Sequence, residues 1–68
     1  MVNVSKKQIR AFLKEYGKKF RLLRTRKKLS QLRVAQIVGV SQAIISHIEC
    51  GYFLPSPELE SALFDLYE

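Results

Sequence analysis

Before its closing Glu49, the segment "SQAIISHIE", residues 41–49, is polar only at its start and along one edge, where Ser41, Gln42, Ser46 and His47 stand. An amide, two hydroxyls and an imidazole are groups for recognition by hydrogen bonding. They do not make a catalytic set. The chain has no Gly-rich phosphate loop, no paired acids in a plausible pocket and no nucleophile beside a base. His47 has no second ligand nearby, so it does not read as a metal site. Cys50 is the single cysteine and cannot form an internal disulfide. It reads as a passive residue at a helix end. The sequence therefore predicts no enzyme, no metal and no cofactor.

The cations point to a partner. Residues 1–33 hold all twelve Lys and Arg and one acid, Glu15, for a net +11. Residues 34–68 hold five acids and no Lys or Arg, for a net −5, and the two halves recover the formal +6. Such asymmetry predicts a polyanion facing the first half, either nucleic acid or an anionic membrane. No apolar run is long enough to span a bilayer. The opening "MVNVSKKQIR" lacks the apolar stretch of a secretory leader. With one cysteine, a reducing cytoplasm is the expected compartment.

Side chains that recognise need rigid elements to aim them. Ser5 can cap a helix from Lys6, and Ile9, Phe12, Leu13, Tyr16, Phe20 and Leu23 follow at steps of three or four, the helical spacing. The stripe keeps its phase across Gly17, which predicts one long basic helix over about 6–27. A break at Gly17 is the alternative, since Gly costs about 1 kcal/mol in a helix interior. Ser30 can cap Gln31–Val38, and Gly39 can end it. Ser41 can cap Gln42–Glu49, which Gly51 closes. Ser56 caps a fourth helix with Pro57 in its first turn, where the missing N–H is harmless. Between the second and third helices, Ala35 is small where the helices would cross. Gly39 tolerates the turn, and Ile45 plugs the crossing beside Ile48. That spacing is the one a helix-turn-helix requires.

The whole stretch "LSQLRVAQIVGVSQAIISHIECG", residues 29–51, resembles the helix-turn-helix of the phage repressor/Cro type, the Xre-like regulators. The matching residues are Ser30, Gln31, Ala35, Gly39, Val40, Ser41, Gln42, Ile45, Ile48, Glu49 and Gly51. "YGKKFRLLR" resembles the family's first helix and "PSPELESALFDLY" its fourth, so the likeness covers about residues 16–67. It implies an all-α, compact domain over 1–68, with four helices, or five if the first one breaks. The helix-turn-helix unit would occupy about 30–50. It further implies a sequence-specific regulator of transcription, a repressor that binds double-stranded DNA as a dimer, associated with the nucleoid.

Site roles carry over by position. Gln42, Ala43, Ser46 and His47 would meet base edges in the major groove, where Gln can read adenine bidentately. Gln31 and Ser41 would touch phosphates near helix N-termini, and Lys27, Lys28 and Arg33 would attract them. Arg24 and Glu49 match the positions of a structural ion pair. Phe53 and Leu54, after the third helix, read equally as core or as a dimer contact. Leu22, Leu32 and Ile37 are apolar where relatives are commonly polar, and Ile44 lies near the groove. These four residues keep open a second class, a helix-turn-helix that binds another protein. A third class, a basic helix lying on a membrane, explains nothing after residue 28, so no membrane partner is expected.

Overall fold

The computed structural model describes residues 5–68. The expectation that the chain opens without an apolar leader falls partly on residues 1–4, outside the described ones. Among the described residues four helices run in order: α1 Lys6–Arg26, α2 Gln31–Val38, α3 Gln42–Glu49 and α4 Pro57–Tyr67.

Each helix starts at a serine. Ser5, Ser30, Ser41 and Ser56 have extended backbones, and their hydroxyls accept from the N–H of Gln8, Arg33, Ile44 and Leu59. A cap of this kind contributes about 1 kcal/mol. At the first helix the Gln8 side chain also reaches back to the Ser5 N–H, closing a capping box.

Three helices end in one way, with a left-handed residue just past the last turn. Gly39 (φ 78°) and Gly51 (φ 81°) take this role after α2 and α3, and Lys28 (φ 58°) takes it after α1. The following N–H then folds back: Leu29 donates to the Arg24 carbonyl, Val40 to Ala35 and Tyr52 to His47. Lys28 does this against the usual preference for glycine. It stops α1 at Arg26, with Lys27 as cap, one residue short of the expected 27.

The alternative of a break at Gly17 does not occur, and the described residues form no fifth helix. α1 runs without interruption through Gly17, which is buried. A Cβ there would lie 2.6 Å from the Glu49 carbonyl oxygen, and closer still to that of Ile48. The missing side chain is what lets α1 cross the end of α3 backbone to backbone.

The core is Phe20, Val34, Ala35, Ile45, Ile48, Leu63 and Tyr67, drawn from all four helices. Burial of a side chain the size of Phe20, Ile45 or Leu63 contributes about 1.5–3 kcal/mol. α1 and α4 lie side by side and run the same way. Tyr16 donates to the Glu60 carboxylate, the Phe20 and Phe64 rings sit 5.1 Å apart, and Lys27 Nζ donates to the Glu68 carbonyl at 3.0 Å. The turns of α1 before Tyr16 therefore project past the start of α4.

Candidate nucleic-acid interface

α3 divides its residues between two jobs. Ile45 and Ile48 face the core, and Glu49 is buried at the helix end. Gln42, Ala43 and His47 are exposed, and Ser46 is half-buried. The Ser41 hydroxyl is committed to the Ile44 N–H as the cap. Ala35 of α2, 1% exposed, lies in the core with Ile45 and Ile48 of α3, and Gly39 makes the turn between the two helices with nothing within 4 Å of a Cβ. Its positive φ, rather than crowding, is the reason for glycine there.

A buried ionic cluster fixes the far end of α3. Arg24 Nε donates to Glu49 Oε2 at 2.7 Å, and Arg24 Nη2 donates to Oε1 at 3.1 Å. This two-pronged geometry is the strong form of the contact. Arg24 Nη1 adds a bond to the Leu29 carbonyl at 2.8 Å, and Gln31 Nε2 donates to Glu49 Oε1 at 3.1 Å. The side chains are 12% and 3% exposed. α1, the α1–α2 turn, α2 and α3 all meet at this point. The bonded carboxylate holds the Arg24 guanidinium pKa above its ordinary value. Burial first, and the Glu49 charge second, push the nearby Tyr67 phenol up to about 12.

The sequence-derived site residues therefore fall into groups. Arg24, Glu49 and Gln31 come together, and the Gln31 amide, expected at a phosphate, spends one N–H on Glu49. Lys27, Lys28 and Arg33 are exposed around the α1–α2 turn. Lys27 reaches the Glu68 carbonyl, and Arg33 Nη1 lies 3.5 Å from Gln36 Oε1. Phe53 and Leu54 are 42% and 48% exposed, so the core alternative for them is set aside.

Three contacts escape a reading of the sequence. Gln31 bonds Glu49, Gly17 touches the end of α3, and the His47 ring packs against Tyr52 (5.2 Å) and Phe53 (5.9 Å, edge-on). Gly51 is the sequence signal for the last of these, because in its left-handed conformation it turns the chain back over the helix end, where the Tyr52 N–H donates to the His47 carbonyl.

Two short helices packed on each other, joined by a left-handed glycine and fastened to the preceding helix, define a helix-turn-helix unit. A helix-turn-helix family model matches residues 20–66. The chain belongs to this family, the Cro/C1-type (phage repressor or Xre-like) DNA-binding regulators of transcription. No curated protein sequence matches the chain. Among the described residues, no helix is long and apolar enough to cross a membrane.

Proposed function

We propose that the chain is a sequence-specific regulator that binds double-stranded DNA as a two-fold dimer and represses by occupying its site. α3 lies in the major groove, with Gln42, Ala43, Ser46 and His47 towards base edges. Gln31 and Ser41 approach phosphates, and Lys27, Lys28 and Arg33 supply the attraction. The observation that carries this reading is the division within α3. Ile45, Ile48 and Glu49 are buried, while Gln42 and Ala43 stand exposed behind a Ser41 cap. Dimerisation fits because one such helix reads too few base pairs for a useful specificity ratio. Half-sites would lie about one DNA turn apart.

The recognition helix carries no Lys or Arg, so reading and attraction fall to different residues. Selection from random duplexes would supply a preferred site. On that site Gln42→Ala is expected to lose roughly 1–3 kcal/mol while binding to scrambled duplex stays nearly intact. Lys28→Ala is expected to weaken all duplexes alike and to flatten the salt dependence by about one charge. Equal loss on both duplexes for Gln42→Ala would refute base reading at that position.

One observation favours a second reading. Leu32 and Ile37 are exposed on α2, with Ile44 half-buried on α3. Binding to a protein that resists salt and is lost in Leu32→Ser and Ile37→Ser would select that reading over DNA.

A further inference from the structure

We propose that the end of the molecule formed by the first turns of α1 and the loop after α3 is the surface on which a second copy of this chain docks. The inference deepens the dimer of the reading above and is independent of any DNA sequence.

α1 carries one apolar stripe in constant phase, from Ile9 through Leu23. From Tyr16 onward its own chain packs against the stripe. The first turns lack that cover, because α4 starts only at Pro57 and Glu60 already stands beside Tyr16. Ile9 is left 47% and Phe12 58% exposed, although both keep the core-facing phase. Phe12 stacks on Tyr16 at 5.7 Å, which continues the aromatic column of the interior outwards. The family match covers residues 20–66, so this overhang lies outside the matched residues.

The loop brings more apolar surface to the same end. A groove of about 550 Å³ runs between Arg10, Leu13 and Lys14 of α1 and Cys50, Gly51 and Tyr52. Phe53 and Leu54 follow directly, both exposed. Exposed apolar residues scattered singly are ordinary, but a gathering of this kind marks an interaction surface.

Charge selects the occupant. The first turns of α1 carry Lys6, Lys7, Arg10 and Lys14, the last two of the four on the groove, and the first turn of α4 carries Glu58 and Glu60, the latter bonded by Tyr16. A two-fold axis through the apolar centre turns each copy's basic side onto the other's acidic side, as an isologous contact allows. Pairing α1 directly with α1 would set four cations against four. An anionic lipid surface would attract the lysines but repel Glu58 and Glu60 at the start of α4.

Sedimentation equilibrium of the full chain without DNA tests the proposal, with circular-dichroism melting to establish that each variant folds. The wild-type chain is expected to dimerise reversibly. Phe12→Ser, and Ile9→Ser one turn away, should each weaken the dimer about tenfold or more, the scale of a central apolar anchor. Glu58→Lys should weaken it too, by placing a cation opposite the partner's cations. Leu22→Ser, an equally exposed residue near the other end of α1, should leave it unchanged. A wild-type chain that stays monomeric at about 1 mM overturns the proposal. So do folded Phe12→Ser and Ile9→Ser chains that dimerise like wild type, or a monomeric chain that coats phosphatidylglycerol vesicles. A dimer that forms as described but prefers no duplex upholds this surface and refutes DNA recognition, so the two failures are distinguishable.

Discussion

Glu49 ties α3 to both α1 and α2. Its carboxylate takes two bonds from Arg24 and one from Gln31, at 3% exposure. Such a pair is weak evidence of net stabilisation, because desolvating both charges offsets much of their attraction. Removing one partner is a different matter. Glu49→Ala leaves a guanidinium and an amide buried without their acceptor, an expected loss on the order of 3 kcal/mol. In a domain of this size each kcal/mol shifts the melting temperature by about 4–8 °C, so the drop should be large. Glu49→Gln keeps one acceptor oxygen for Arg24 and should lose less. Thermal melts of both variants check this, and an unshifted Glu49→Ala curve would contradict the burial described. The pairing was legible in advance only through family resemblance, since nothing in the spacing of residues 24 and 49 announces a contact. The Gln31 bond was not legible at all, because an amide at a helix start serves a phosphate or a carboxylate equally well.

The boundaries of the elements were the most readable part of the chain. Four serines before apolar helical patterns, glycines at 39 and 51, and Pro57 behind Ser56 each act through local chemistry, so the sequence alone carries them. α1 ends where no such signal exists. Lys28 takes the left-handed position without being a glycine, and only the bond of the Leu29 N–H back to Arg24 reveals it. Gly17 is the opposite case. Local rules count it as a weakness, whereas its neighbour in space makes it a requirement. Helix propensity alone says Gly17→Ala should gain about 1 kcal/mol. The contact says otherwise, because the atoms a Cβ would meet are backbone oxygens and a carbonyl carbon that cannot swing aside. Gly17→Ala is therefore expected to lower stability by more than that gain and to loosen α1 from α3. Urea titration decides between the two arguments, and a stabilised variant would show that the helices do not approach so closely.

At the scale of the whole molecule, α1 and α4 are tied by their tyrosines, and these set a limit at high pH. Burial, then the Glu60 hydrogen bond and charge, push the Tyr16 phenol up from 10.0 to about 12. Tyr67 rises to about 12 as well. Between 10 and 12 an unfolded chain releases these protons while the folded chain keeps them. Stability from this source is thus fully present below pH 10 and is lost as pH rises towards 12. Urea midpoints measured across that window should fall, and Tyr67→Phe should flatten the fall. A variant that tracks the wild-type slope would show that Tyr67 is not held as described.

The division of labour within α3 bears on how such proteins acquire new preferences. Ile45, Ile48 and Glu49 maintain the architecture, whereas positions 42 and 43 point outwards and contribute little to it. Replacing a side chain at such a position usually changes stability by no more than about 0.5 kcal/mol. Mutation can then alter the hydrogen-bond pattern offered to a ligand while every intermediate in the lineage stays folded. Position 47 is less free, because its ring leans on Tyr52 and Phe53. Drift should accordingly run faster at the start of α3 than one turn further on.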